Sequence, residues 1–516
     1  MAAIATPMSL PAAKPAVNPW LIAVVVSMAT FMEVLDTSIV NVALQHIAGG
    51  LAAGLDESTW VLTSYLVSNA IILPMSGWLS NRIGRKKFYM SCVAIFTISS
   101  FLCGIAPSLG FLLTARILQG IGGGGLAPSE QAILTDTFPP NKRGQAFALY
   151  GVAVVVAPAL GPALGGWITD NLSWRWIFFM NIPVGIASLF LTHLLVPEGD
   201  TSKDDKSRKR IDYLGFGLVA LGLGCLQVVL DRGQIDDWFG SPRITAFAIV
   251  AAVSLIVLVI HELTVQDPVV DLTLLKNPSF FISNIVMFLL GIVLFGTTQL
   301  IPQMTQELFG YDATQAGLTL SPGGFVVFAC MPLVGFLVGK IQPKFLIMFG
   351  FLITGLALWS WTNLYPQVSF KVLVEARMFQ ALGLGFLFVP INTLAYSGLP
   401  PGKSNDASAL INLMRNLGGS VGISLAQTML SRRSQFHQSR LGETITNDNP
   451  IFYAVTHGVG NGHATIGKIY TALGQQAEML SFIDVFKVLS VGAFCSIPIV
   501  FFMKNIKLGE KGAVAH

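Results

Sequence analysis

The stretches ILPMSGWLSNRIGRKKF (Ile72–Phe88) and CMPLVGFLVGKIQPKFL (Cys330–Leu346) decide the fold when laid over one another. Pro74 falls on Pro332, Gly77 on Gly335, Arg82 on Lys340 and Lys86 on Lys344, at a constant offset of 258. A second pair, ARILQGIGGG (Ala115–Gly124) and ARMFQALGLG (Ala376–Gly385), puts Arg116 on Arg377 and Gln119 on Gln380 at 261. FPPNK (Phe138–Lys142) against LPPGK (Leu399–Lys403) keeps that second offset. Apolar stretches match by composition alone, but three matches in one order at near-constant separation mark a duplication.

The duplicated material is poor in charge. Charged residues make up 11% of the 516, against roughly 25% in a soluble domain. Hydrophobic residues make up 53%, and the mean hydropathy is +0.67. A soluble chain of this length needs several domains, each with a polar surface, and so little charge cannot cover them. That excludes a soluble enzyme, a nucleic-acid binder, a coiled coil and a disordered chain. An all-α polytopic membrane protein remains. Fourteen apolar stretches of spanning length occur, near 20–45, 59–80, 87–106, 110–136, 144–170, 175–196, 212–230, 244–263, 280–305, 314–338, 345–363, 372–397, 406–430 and 485–503. No signal-peptide cleavage pattern precedes Trp20. The five cysteines lie in apolar runs without metal or redox spacing.

Cation placement orients the spans. With a cytoplasmic N-terminus, nineteen of the 31 Lys and Arg fall in cytoplasmic segments and three in short outer loops. The positive-inside rule selects that arrangement, with both termini cytoplasmic. The duplication then groups the chain into an N-terminal six-helix half (20–196), a charged linker with two inserted spans (197–279), and a C-terminal six-helix half (280–503). The C-terminal half includes a long outer loop at 431–482. Two parallel six-helix repeats resemble the major facilitator superfamily, which implies a substrate site near midplane between the halves.

GWLSNRIGRKK (Gly77–Lys87) resembles that superfamily's conformational latch. Gly77 permits close helix approach and Gly84 a tight turn. Arg85, Lys86 and Lys87 are placed to meet carbonyl ends of neighbouring helices. A topogenic basic loop is the plainer reading. Asn81 stands where the family has Asp, which leaves Arg82 and Arg85 as the latch charges. In APALGPALGG (Ala157–Gly166), Ala157, Gly161 and Gly165 form a flat stripe, and Pro158 and Pro162 bend the helix. Close packing explains such a stripe; the string also resembles the signature of drug:proton antiporters.

Glu33 and Asp36 share one face of the first span in MEVLDTSIVNVAL (Met32–Leu44). A carboxylate at the bilayer centre costs roughly 2.5–3.5 kcal/mol on insertion scales, and taking up a proton relieves that cost. A carboxylate paired permanently with a cation is the alternative. LDTSIVNVAL resembles the first-span motif of the fourteen-span antiporter branch, in which Asp36 holds the acidic position and Gln45 replaces a Pro. LLTARILQGIGGGG (Leu112–Gly125) resembles the fourth-span motif, whose Arg is linked to proton coupling. Arg116 stays protonated, so its role there is to hold water or a carboxylate. Glu130 lies in no motif and reads equally as a second proton carrier or a helix-end charge.

Asn41, Asn69, Gln119, Gln299, Gln303, Asn392, Asn412 and Arg415 put polar groups on otherwise apolar spans. They are candidates for the substrate cavity, with interhelical hydrogen bonding as the alternative. WRWIFFMNIPVG (Trp174–Gly185) also matches the fourteen-span branch, and an interfacial aromatic belt explains its tryptophans equally well. Three enzyme-like strings carry no enzyme. Gly120-x-Gly122-x-x-Gly125 has no strand before it, Gly418-x-Ser420-x-Gly422 lies mid-span, and Gly398–Ser404 is one residue short of a P-loop. No cofactor, metal or nucleic acid is expected, and the proton gradient remains as the drive.

Taken together, 20–504 resembles an EmrB-type multidrug exporter of the fourteen-span drug:proton antiporter branch. The resemblance implies lipophilic small-molecule substrates, protons, alternating access in a bacterial cytoplasmic (inner) membrane, and antibiotic resistance as a consequence. It also implies a periplasmic adaptor protein and an outer-membrane channel as partners. A major facilitator importer or symporter is the first alternative, and a membrane-embedded enzyme or lipid-handling protein the second.

Overall fold

A computed structural model describes residues 17–197, 212–365, 367–400, 402–443, 445 and 462–503, and among them there is no strand. The long helices of the first part are α1 (Pro19–Gly50), α2 (Trp60–Ile83), α3 (Arg85–Gly104), α4 (Leu109–Gly123), α5 (Leu126–Thr137), α6 (Arg143–Asn171) and α7 (Asn181–Leu195). Then come α8 (Tyr213–Arg232) and α9 (Pro242–Thr264). The last part holds α10 (Pro278–Phe309), α11 (Ala313–Leu337), α12 (Pro343–Ser360), α13 (Phe370–Ala395), α14 (Ser404–Gly442) and α15 (Gly462–Phe501). Their starts carry the expected chemistry: Asn18 and Asn277, each followed by a proline at the first helical position, accept from the backbone N–H of Trp20 and Ser279, and Asp312 with Gln315 forms a capping box.

Among the described residues, twelve helices are long and apolar enough to cross a membrane. The other two expected spans coincide with helices that hydropathy alone does not mark. The expected rod 110–136 is broken between Gly123 and Leu126 into α4 and α5. Side chains at Gly122, Gly124 and Gly125 would lie within 2.8 Å of α3 or α2 atoms, so glycine is what the packing admits there, and its weak helix propensity permits the break. The expected span 406–430 lies inside the 39-residue α14, which buries Asn405, Asn412 and Arg415. Burial follows membrane logic in α9, whose window is the most apolar (mean hydropathy 2.7) and the least buried (22%). Its apolar surface faces outward.

The duplicated strings make the same contacts twice. A Cβ on Gly122 would lie 2.6 Å from Phe96 N and 2.8 Å from Cys92 O on α3. A Cβ on Gly383 would lie 2.6 Å from Thr354 N and 2.9 Å from Gly350 O on α12. Those pairs sit at the two offsets read from the sequence. Small residues likewise set α6 between α1 and α11: Gly161 and Gly165 face Ser38 and Ile39, while Gly166 faces Thr314. Gly144 and Gly335 meet at the other end of the α6–α11 crossing. Pro162 lacks the N–H that the Pro158 carbonyl needs, and the Ser38 hydroxyl donates to that carbonyl at 3.2 Å. The elbow-like Gly418-x-Ser420-x-Gly422 is a packing face, where Gly418 and Gly422 admit the α10 backbone at Phe288 and Ile292.

The inserted α8 packs on α2 and α14. Ser420 donates to Gln227 at 2.9 Å, Trp78 meets Phe216 edge-on, and Thr63 donates to Asp231. Within the long outer segment 431–482, α14 runs to Gly442 and α15 starts at Gly462, so TALGQQAEMLSFI (Thr471–Ile483), which the sequence allows as an amphipathic helix, lies in a helix. Polar sequence hid these ends from hydropathy. Asp484 of α15 pins them by accepting from Arg433 at 2.6 Å and pairing with His437 at 2.8 Å on α14. The N-terminal Lys14, most of the charged linker and the last residues lie outside the described residues.

Candidate proton and substrate pathway

Polar clusters interrupt the apolar interior. The first is built from α1, α2, α3, α4 and α7 around Asp36, which is 1% exposed. Arg116 Nη1 donates to Asp36 Oδ2 at 2.6 Å. The other carboxylate oxygen accepts from Gln119 Nε2 at 3.1 Å and Asn181 Nδ2 at 2.7 Å. Arg116 also donates through Nε to the Val61 carbonyl at 3.0 Å and through Nη1 to Gln119 Oε1 at 2.6 Å. Its guanidinium lies over the Tyr65 ring at 4.4 Å. Ser100 accepts from both Gln119 and Asn181, which fixes the two amides that hold Asp36. A buried ion pair needs this many partners because each charge has left water.

Tyr65 joins this pair to Glu33. Its hydroxyl donates to Glu33 Oε1 at 3.1 Å, as does Asn69 Nδ2 at 3.1 Å. The structure thus places Asn69 and Gln119, read as cavity candidates, against Glu33 and Asp36. Glu130 lies on α5 against a different part of α1. Ser27 donates to its Oε1 at 2.5 Å, and Oε2 is buried. Glu33, Asp36 and Glu130 all face α1 or lie on it, with bonded partners on α1 and α2 for the two glutamates.

The second cluster joins the first part of the chain to the last. Gln131 Nε2 donates to Asn392 Oδ1 at 3.2 Å, and Gln131 Oε1 accepts from Asn412 at 2.8 Å and Tyr396 at 3.0 Å. Tyr150 donates to Asn412 Oδ1 at 3.0 Å and accepts from Arg415 at 2.8 Å. Gln131 and Asn392 are one repeat apart, so duplicated positions meet face to face. Asn41 donates to Gln299 at 2.7 Å, again across the repeat. Gln303 is removed from these groups, accepting from Gln427 and donating to Glu307. Gln131, Tyr65, Tyr150, Tyr396 and Asn181 were not singled out as site residues from sequence. The available signal was a tyrosine hydroxyl inside an apolar span, which needs a partner once buried.

A third group closes the end that carries Gly77–Lys87. Gly77 is packed on α14, where a Cβ would lie 2.8 Å from Asp406 Oδ1 and 3.0 Å from its Cα. Asn81 donates to Asp406 at 3.1 Å and accepts from Asn405 at 2.5 Å. The position lacking the family's Asp is therefore part of the contact through its neutral amide, beside the charge of Arg85. Arg85 donates to Asn405 at 2.8 Å and to the Ala132 carbonyl at 3.2 Å, and pairs with Asp136. Arg82 lies over the Trp78 ring at 5.2 Å. Gly84 adopts φ +98°, the conformation that lets α2 end and α3 begin without a spacer.

No metal-ligating cluster occurs among the described residues. The comparisons with known proteins agree with this interior of paired helices and isolated polar clusters. The family model of the Major Facilitator Superfamily matches residues 26–423. The chain is 37% identical over 500 residues to the multidrug export protein EmrB of Escherichia coli, covering 96% of this chain and 97% of that one. It is 37% identical to the fatty acid resistance protein FarB of Neisseria gonorrhoeae, covering 96% and 98%. The colistin resistance protein EmrB of Acinetobacter baumannii is 30% identical, covering 96% and 98%. Among solved structures, the human organic anion transporter MFSD10 aligns with TM-score 0.60 at 13% identity, covering 94% of this chain and 100% of that one. The proton:xylose symporter XylE aligns at 0.59 and 15%, covering 94% and 96%; at such identities the likeness speaks for the fold alone. The protein is a multi-pass membrane transporter and not an enzyme. The chain belongs to the Major Facilitator Superfamily, in its EmrB family.

Proposed function

We propose that this protein is a proton-coupled antiporter that exports amphipathic toxic compounds from the cytoplasm by alternating access. The buried Asp36–Arg116 pair carries the reading, because it joins a proton-accepting carboxylate to a fixed cation inside the bilayer. The activities for which the relatives are named, multidrug export and resistance to fatty acids or colistin, support the direction of transport. In this scheme the halves 20–196 and 280–503 rock about the α6–α11 crossing, with α8 and α9 inserted between them, α4–α5 and α14 completing fourteen spans, and both termini cytoplasmic. Deprotonated Asp36 favours the substrate-bound inward state, and protonation from outside frees Arg116 and favours release. Each net charge moved contributes about 2.3 kcal/mol per 100 mV. Glu33 and Glu130 extend the proton path toward the closed end, and Asn41, Asn392, Asn412 and Arg415 line the substrate route. Arg85, Asn81, Gly77 and Asp406 form the cytoplasmic gate.

We further infer that a periplasmic adaptor and an outer-membrane channel complete the pump, with the adaptor engaging the polar outer ends of α14 and α15. Inverted vesicles holding the purified protein test the first claim: adding substrate to an acid-loaded vesicle should release protons, and no release overturns antiport. Substrate entering with protons instead identifies a symporter. Shortening 440–475 should spare vesicle transport and abolish cellular resistance; unchanged resistance removes the adaptor.

A further inference from the structure

The Asp36–Arg116 cluster has a second copy in which the anion is missing. Arg377 repeats Arg116 on α13, is 3% exposed, and donates to Gln380 Oε1 at 2.9 Å as Arg116 does to Gln119. Gln380 Nε2 then donates to the Thr297 hydroxyl at 2.9 Å, where Gln119 Nε2 donates to the Asp36 carboxylate. Thr297 thus takes the place of Asp36 as the acceptor from this glutamine, one helical turn beyond Leu294, which matches Asp36 at the offset of 258 that pairs Asn41 with Gln299. Gly323 stands one repeat after Tyr65, so no ring covers this guanidinium, and a Cβ there would lie 3.1 Å from Arg377 Cγ and 3.3 Å from its Nε. Arg116 Nε has the Val61 carbonyl as acceptor, whereas Arg377 Nε is buried with no hydrogen-bond partner among the described residues. Among the described residues no carboxylate is paired with Arg377. A buried guanidinium without a counter-charge costs several kcal/mol, and the positions that satisfy it in the first copy hold a neutral hydroxyl and a glycine in the second.

We propose that Arg377, Gln380 and Thr297 form an anion site whose counter-charge the ligand supplies, taking a monovalent oxyanion such as the carboxylate of an amphipathic molecule, or a halide. A carboxylate entering beside Thr297 accepts from Arg377 Nε and takes over the Gln380 Nε2 donor, as Asp36 does with Gln119 in the first copy; the Thr297 hydroxyl keeps its own proton on the Val293 carbonyl at 2.8 Å. The proposal concerns binding and does not depend on proton coupling or on the direction of transport.

Thermal melting of the purified full chain in a neutral maltoside detergent tests it, with sodium octanoate and sodium chloride as the two anion probes. Octanol and octyltrimethylammonium are the neutral and cationic controls. The expected result is a saturable rise in melting temperature with octanoate and none with either control. If chloride produces the rise and blocks octanoate, the site stands and its ligand is the inorganic ion. Arg377→Gln should weaken the response roughly tenfold to a hundredfold, as expected for losing charge-assisted hydrogen bonds, while Arg377→Lys keeps part of it. Thr297→Asp restores the internal carboxylate, so that variant should fold and no longer respond to either anion. No response in the wild type, or the wild-type response in Thr297→Asp, overturns the site even if Arg377→Gln fails to fold.

Discussion

Arg116 and Asp36 meet at 2.6 Å with neither side chain exposed, although they are 80 residues apart on α4 and α1. One donates from a motif that the sequence carries twice, and the other is present only once. The interior therefore holds one charged pair where the duplication alone implies two.

Asp36→Asn should abolish substrate-driven proton exchange in inverted vesicles while the protein still purifies folded. Normal exchange would transfer the proton role to Glu33 or Glu130. Arg116→Gln strands the buried carboxylate and should cost about 3–5 kcal/mol of stability, and Asp36→Asn in the same chain should recover most of it. Melting curves of the three variants check this coupling.

Glu130→Gln separates the two readings of that residue. A second carrier predicts fewer protons moved per substrate with binding intact, whereas a helix-end charge predicts unchanged stoichiometry. Ser27→Ala serves as control, since it removes the hydroxyl that donates to Glu130 and leaves the carboxyl in place.

Ser38 and Pro162 should be coupled. Ser38→Ala leaves the Pro158 carbonyl without its donor and should cost about 0.5–1.5 kcal/mol. In a Pro162→Ala background the restored backbone N–H takes that carbonyl, so removing the Ser38 hydroxyl should then cost little. Additive effects in the double-mutant cycle would show that the contact carries no weight.

Gly77→Leu drives a side chain into Asp406 and should hold α2 and α14 apart. A cysteine introduced at Asn405, which is now 5% exposed, should label with maleimide several-fold faster in that variant, and transport should fall by at least tenfold on the order expected for a blocked conformational step. Equal labelling with and without Gly77→Leu would place the gate elsewhere.

Lys403 and Asp271 give a pH signature outside the spans. Burial by itself raises the Asp271 carboxyl, but the Lys403 and Thr273 hydrogen bonds outweigh it and hold the carboxyl below its usual value. Burial lowers the Lys403 ammonium, and bonding to Asp271 with the charge of Asp406 outweighs that, leaving it above its usual value. The aspartate's contribution is lost as pH falls through its depressed folded value, and the lysine's as pH rises through its elevated one. Across neutral pH the link is constant. Lys403→Met leaves the buried Asp271 carboxylate with only Thr273, so the loss should exceed that of a fully exposed pair, on the order of 1 kcal/mol or more, and the stability profile should flatten at the two extremes.

By itself the sequence determined membrane residence, the duplication, the charged side of the spans and the motifs around Asp36 and Arg116. Those properties are sums or periodicities along the chain: hydropathy adds over about twenty residues, and a repeat announces itself by its offset. Pairings are different, because they depend on the rotational phase of helices that lie far apart in the chain. Only the tertiary structure placed Asn181 and Gln119 on Asp36, joined Asn81 to Asp406, and made Gln131 the centre of a network reaching Asn392, Tyr396 and Asn412. It also decided where α4 ends, since the break in the glycine run reflects how closely α2 and α3 press on it. The same geometry separated two arginines of identical motif. Arg116 and its neighbour Gln119 both bond a carboxylate, whereas Arg377 bonds only Gln380 among the described residues and Gln380 donates to a threonine, a difference that no local pattern around either arginine contains.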